Sequence, residues 1–192
     1  MLKSWKFSVL AGACLCMYGC GAFNEDAGKR FEESGDLAQA EKAYRQAVKD
    51  NPGKASGHIG LGRVLKARGK LDESVSEFRE AVKIEMSSPE AHSSLADAKF
   101  EQGNYDEAKR EYEVALVYDA AYAHALRGVG AVLEKEGDLK GAVEKFKKAV
   151  ESDPKYADAW ESLGHALGAT GDMVGARDAL KKADEIRNPS KK

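Results

Sequence analysis

Four histidines, His58, His92, His124 and His165, and three cysteines, Cys14, Cys16 and Cys20, are the residues of this 192-residue chain best suited to metal or nucleophilic chemistry. No two histidines have the His-x3-His spacing that puts both rings on one face of a helix. His58 and His92 share a register with Trp160, which reads as packing. All the cysteines lie in the first twenty residues, so the rest can form neither a disulfide nor a thiolate metal site. Gly60-Leu61-Gly62 and Gly128-Val129-Gly130 look like fragments of phosphate loops. No strand pattern precedes them, so they read as close approach between helices. The expectation is no enzyme, no cofactor, no metal and no small-molecule substrate. Thirty basic against 32 acidic residues give a net charge of −2, and no basic cluster is interleaved with aromatics, which argues against nucleic acid. With 43% hydrophobic and 32% charged residues, the bulk reads as soluble and globular.

The cysteines belong to a distinct segment. Lys3 and Lys6 precede an uncharged stretch whose apolar centre is Phe7–Tyr18, followed by small residues. That is the layout of a secretory signal, and it is short of the ~20 apolar residues a spanning helix needs. Met17-Tyr18-Gly19-Cys20 resembles the lipobox of bacterial lipoproteins. Gly19 fits the small residue before the cysteine, whereas Tyr18 departs from the pattern. Ala11-Gly12-Ala13-Cys14 is a rival site. The resemblance implies cleavage after residue 19 and acylation of Cys20, with two or more chains making a stable anchor. Gly21 in place of aspartate points toward the outer membrane. An ordinary cleaved signal or an uncleaved anchor are the alternatives.

Beyond that segment the chain is periodic. Gly35, Gly69, Gly103, Gly137 and Gly171 stand 34 residues apart. Rows of 34 run over 21–54, 55–88, 89–122, 123–156 and 157–190, leaving Lys191 and Lys192. Twelve residues after each glycine stands an alanine: Ala47, Ala81, Ala115, Ala149 and Ala183. Nine after stand Tyr44, Phe78, Tyr112, Phe146 and Leu180. Within a row, Ala142, Val143, Phe146, Ala149 and Val150 make one stripe at helical period. Each row therefore predicts two helices about a turn, with glycine taking the left-handed conformation and Asp36, Asp138 and Asp172 starting the second helix. The four prolines fall at row boundaries. Pro89 comes three places late, in the first turn of its helix, with Ser87 and Glu90 expected as a capping box.

The columns closely resemble the tetratricopeptide repeat. The fifth row supplies Trp160, Leu163-Gly164, Leu167, Ala176, Leu180 and Ala183 of that pattern, and the fourth ends it with Pro154. The resemblance covers residues 21–190. It implies an all-α, right-handed solenoid of helix-turn-helix repeats, with the fifth row as a cap because Arg177 and Asp184 replace Val143 and Val150. It also implies a concave groove that holds a protein or peptide. The groove columns carried across give Ile59, Arg63, Lys66, Ser93, Asp97, Phe100, His124, Arg127, Glu134 and His165 as candidate contacts. Arg63, Lys66 and Arg127 would pair carboxylates, and Ile59 and Phe100 would anchor apolar groups. The first row shows Glu25 and Lys29 where chaperone-binding members carry a carboxylate clamp, which argues against capture of chaperone C-termini.

The two segments together predict a non-enzymatic interaction scaffold, anchored through Cys20 in the bacterial cell envelope at the periplasmic face of the outer membrane. Small lipoproteins of this layout resemble pilotins and pilus-assembly factors of type IV and Tad systems, secretion-system assembly factors, and adaptors for peptidoglycan enzymes. A periplasmic adaptor with an uncleaved N-terminal anchor is a further alternative.

Overall fold

The computed structural model describes residues 16–189, with side chains from Asn24 onward. Residues 1–15, which hold Cys14 and most of the predicted signal segment, and residues 190–192 lie outside the described residues. Cys20 falls within the first helix, but its side chain is not among those described. The described residues form ten α-helices and no strand. They are α1 (Cys16–Glu33), α2 (Leu37–Asp50), α3 (Ala55–Ala67), α4 (Leu71–Ile84), α5 (Pro89–Glu101), α6 (Tyr105–Tyr118), α7 (Ala123–Glu136), α8 (Leu139–Ser152), α9 (Ala157–Ala169) and α10 (Met173–Arg187). None of them is long and apolar enough to cross a membrane.

Each hairpin turns at its periodic glycine, where φ runs from 75° to 92°. Residues with a Cβ pay ~1–2 kcal/mol in that region, and glycine does not. The amide after each glycine returns to the carbonyl five residues back, as in Asp138 to Leu133 and Asp172 to Leu167, both at 2.9 Å. The orphan carbonyls of the first helix are thereby satisfied. Asp36, Asp138 and Asp172 then accept the amides of Gln39, Gly141 and Gly175 and start the second helix. At the late proline the cap is Ser88, whose Oγ accepts from the Ala91 amide at 3.2 Å. Pro89 takes the first helical position, where its missing N–H costs nothing. This corrects the expected capping box: the cap falls one residue after Ser87.

The helices divide into two compact units between Ile84 and Glu85. Unit 1 holds α1–α4 and unit 2 holds α5–α10. In unit 1, Tyr44 and Ala40 of α2 are buried against Leu61, Val64 and Leu65 of α3. In unit 2, Ala108, Tyr112 and Ala115 of α6 pack with Val129 and Val132 of α7, and Phe146 of α8 packs with Leu163 and Ala166 of α9. Between the rings of one helix and the backbone of the next there is no room for a methyl group. A Cβ on Gly60 would lie 2.2 Å from the Tyr44 ring, and one on Gly128 would lie 2.3 Å from Tyr112. The paired glycines of the sequence are packing surfaces.

The end of the array is only partly polar. Arg177 and Asp184 are exposed on α10. Leu180 keeps 38% of its surface in solvent and Met173 68%, while the rings at the column's earlier positions are fully buried.

Candidate functional site: a polar and aromatic cluster in unit 2

The turns between rows are held by the bulky column. Nε2 of His58 donates to the Pro52 carbonyl at 3.1 Å and Nε2 of His92 to that of Met86 at 3.0 Å. The indole of Trp160 donates to the Pro154 carbonyl at 3.0 Å. A carbonyl can only accept, so these ring nitrogens carry the proton. The opposite nitrogens of His58 and His92 meet Glu77 and Glu111, each at 2.7 Å. Both histidines are buried structural clamps. Leu126, the fourth member of the column, has no polar atom to offer its turn.

Unit 1 spends its charges internally. Arg63 grips Glu32 with two hydrogen bonds of 3.0 and 2.8 Å, and the Tyr44 hydroxyl donates to the same carboxylate at 3.2 Å. Burial, and next the Glu32 carboxylate, push the Tyr44 hydroxyl up to a pKa of about 12. Glu25 is buried and takes Lys54 at 2.9 Å and the Ser56 hydroxyl at 3.0 Å. Glu41 is buried on α2 and forms ion pairs with Arg45, Arg68 and Lys70.

Unit 2 assembles a different site. Asp97 on α5 accepts from the buried Tyr112 hydroxyl and faces Nε2 of His124 at 3.0 Å. Nδ1 of His124 meets the Tyr156 hydroxyl at 3.0 Å, and that hydroxyl accepts from Nε of Arg127 at 2.8 Å. The Arg127 guanidinium also lies 5.7 Å from the Tyr156 ring centre. Aspartate, histidine, tyrosine and arginine thus form one connected chain contributed by α5, α7 and the start of α9. Burial, followed by the Asp97 carboxylate, pushes the Tyr112 hydroxyl well above its ordinary value. Burial also raises Tyr156, although Arg127 works against it. The Arg127 charge is disfavoured by burial, but the Tyr156 hydroxyl and Asp97 outweigh that and raise its pKa.

The groove candidates separate on this geometry. Asp97, His124 and Arg127 come together in the cluster. Ile59, at 5% exposure, belongs to the interior, and so does Ser93, whose hydroxyl donates to the Pro89 carbonyl at 2.7 Å. Neither side chain lines an open groove: both are buried, and the Ser93 hydroxyl is taken up by the first turn of its own helix. Arg63 is engaged by Glu32, and Lys66 is half-buried on α3. Phe100 stacks edge to face with Tyr105 at 5.1 Å. Glu134 and His165 are exposed and join no cluster. Tyr112 reads from the sequence as a core ring only, and Tyr122 and Tyr156 are absent from the candidate contacts. Their signal was an Asp-x-x-Tyr pair at two successive row ends, Asp119 to Tyr122 and Asp153 to Tyr156. Among the described residues, no three histidine, cysteine or carboxylate side chains converge as a metal site.

A tetratricopeptide-repeat model matches residues 25–89 and 94–157, and a second matches 133–190. The chain belongs to the tetratricopeptide-repeat family. Members of that family are generally non-enzymatic scaffolds, and no catalytic family is indicated. No curated protein matches it in sequence. Among solved structures, this repeat protein is similar to MamA, with a TM-score of 0.64 and 25% identity over 84% of this chain and 95% of MamA. It is similar to PilF of Pseudomonas aeruginosa, with a TM-score of 0.77 and 18% identity over 88% of this chain and 78% of PilF. It is also similar to YrrB, described as a TPR protein with an unusual peptide-binding site. That likeness has a TM-score of 0.57 and 21% identity over 88% of this chain and 86% of YrrB.

Proposed function

We propose that this protein is a lipid-anchored interaction scaffold of the bacterial envelope, binding a partner protein or peptide on the first-helix face of unit 2. The observation that carries the reading is the Asp97–His124–Tyr156–Arg127 chain. Four polar side chains from two successive rows form one half-buried surface, with hydrogen-bonding capacity matched to a peptide rather than to a reacting centre. The lipobox resemblance supports export and acylation at Cys20, and Gly21 in place of aspartate favours the outer membrane, with only Gly21, Ala22 and Phe23 before Asn24.

Mass spectrometry of the mature N-terminus tests the anchor: a diacylated Cys20 is expected, and an intact Met1 would sink it. In-cell crosslinking from position 124 tests the scaffold. Recovery of a discrete partner that is lost in Arg127→Glu, with helicity unchanged, is the expected result. A secretin among the crosslinks would favour the pilus or secretion-assembly reading, and a murein enzyme the adaptor reading. If Arg127→Glu folds and recovers the same partner, the cluster is not the contact.

A further inference from the structure

Beside the polar chain, and reaching past it to the row ends, unit 2 holds a cavity of about 360 Å³. Tyr122, His124 and Tyr156 line it, together with Asp119 and Asp153. The three rings are spaced as a cage: His124 lies 6.2 Å from Tyr122 and 6.2 Å from Tyr156, nearly parallel to the latter at 24°. The lining contains no lysine or arginine. Each aspartate uses Oδ1 to accept the amide two residues on, Ala121 at 3.0 Å and Lys155 at 2.9 Å. Each Oδ2 keeps its lone pairs for something else.

Three sources of negative potential meet here. The first is the pair of carboxylates. The second is the C-terminal ends of α6 and α8, which stop at Tyr118 and Ser152 with Asp119 and Asp153 as their C-caps. A helix C-terminus carries about half an elementary negative charge. The third is the π faces of the rings, which attract cations within ~6 Å. Arg127 stands 5.7 Å from the centre of the Tyr156 ring, and its charge offsets part of this potential on that side. At the matching row end of unit 1, Asn51 and Lys54 stand in place of the aspartate and tyrosine.

We infer that this cavity captures a cationic side chain, arginine or lysine, of the bound partner. The inference builds on the scaffold reading by naming the chemistry of what binds, and its site is the row-end cavity rather than the Arg127 surface. The partner residue would seat its charge between Asp119 and Asp153 and its stem along Tyr122 and Tyr156.

The test is a titration of the isotope-labelled protein, followed by amide chemical shifts. The probes are N-acetyl-arginine amide, N-acetyl-lysine amide and the neutral isostere N-acetyl-citrulline amide. Saturable shifts are expected within 119–124 and 152–156 for the two cations and none for citrulline. They should weaken at least tenfold in Asp119→Asn/Asp153→Asn, checked for unchanged helicity and melting. Equal shifts with citrulline, shifts spread over every acidic face, or no shift at all would overturn the inference. Should the double variant fail to fold, the comparison of arginine with citrulline on the unaltered protein still decides. A crosslinked partner that the folded double variant recovers as well as the native chain sinks the cavity and leaves the scaffold standing.

Discussion

A carboxylate sealed at 2% exposure normally weakens a fold, yet Glu41 sits on α2 among three cations. Burial alone would raise its pKa, but the hydrogen bond from Lys70 and the charges of Arg45 and Arg68 outweigh it, so the value is lowered. The sign follows by linkage. A depressed carboxylate contributes stability at pH above its ordinary value of 4.5, and loses it as the pH falls through the lowered value. Glu41→Gln should therefore cost about 1–3 kcal/mol at pH 7, with the cations half-exposed and able to rehydrate. The difference from the native chain should shrink in acid below pH 4.5. Urea unfolding at neutral and acidic pH measures both, and a pH-independent difference would contradict the assignment. Gly128→Ala probes a second residue. Alanine gains ~1 kcal/mol of helix propensity, but its Cβ meets a Tyr112 ring fixed by Asp97. Overpacking costs ~1–3 kcal/mol, so a net loss of stability is expected by thermal melting. A more stable variant would show that the ring can retreat.

The hairpin is the unit that positions these residues, and its turn depends on one backbone conformation. A Cβ on Gly137 would meet nothing within 4 Å, so Gly137→Ala isolates the price of φ at 86°. It should lose ~1 kcal/mol, and Gly137→Asn less, by the same melting measurement. An alanine variant as stable as the native chain would mean the turn relaxes to negative φ. Most of this element was legible in the sequence. A 34-residue glycine period, alanine and aromatic columns and three capping aspartates each report a local backbone demand that does not depend on the rest of the molecule. The site was legible only in part. Columns name the positions that face one way, which found Asp97, His124 and Arg127. They do not say which side chains a neighbour takes up, so Ile59 and Ser93 were read as lining although they are buried, and Arg63 was read as available although Glu32 holds it. Tyr112 and Tyr156 were missed because one looked like a core ring and the other like a turn residue.

At the scale of the molecule, five rows are divided two and three at the junction where the sequence places its late proline. Repeat arrays need about three rows to be stable alone. Residues 85–192 should therefore fold as a separate fragment with a cooperative helical melt, whereas residues 21–84 should melt at a lower temperature or remain partly unfolded. Circular dichroism on the two fragments decides, and a fragment 85–192 without a cooperative transition would refute it. The whole proposed site lies in the larger unit, so the fragment predicted to fold is also the one predicted to bind.

The row-end clamps carry a dynamical consequence. His58, His92 and Trp160 each tie a first helix to the turn before it, and Leu126 cannot. The chain thus contains its own controlled comparison: four equivalent turns in one molecule, three latched and one not. Local opening should follow the latch, with amide exchange fastest in the segment 119–122. Asp119, Ala121 and Tyr122 of that segment line the acidic cavity, so the site proposed to receive a partner is built on the turn that lacks a side-chain latch from the following helix.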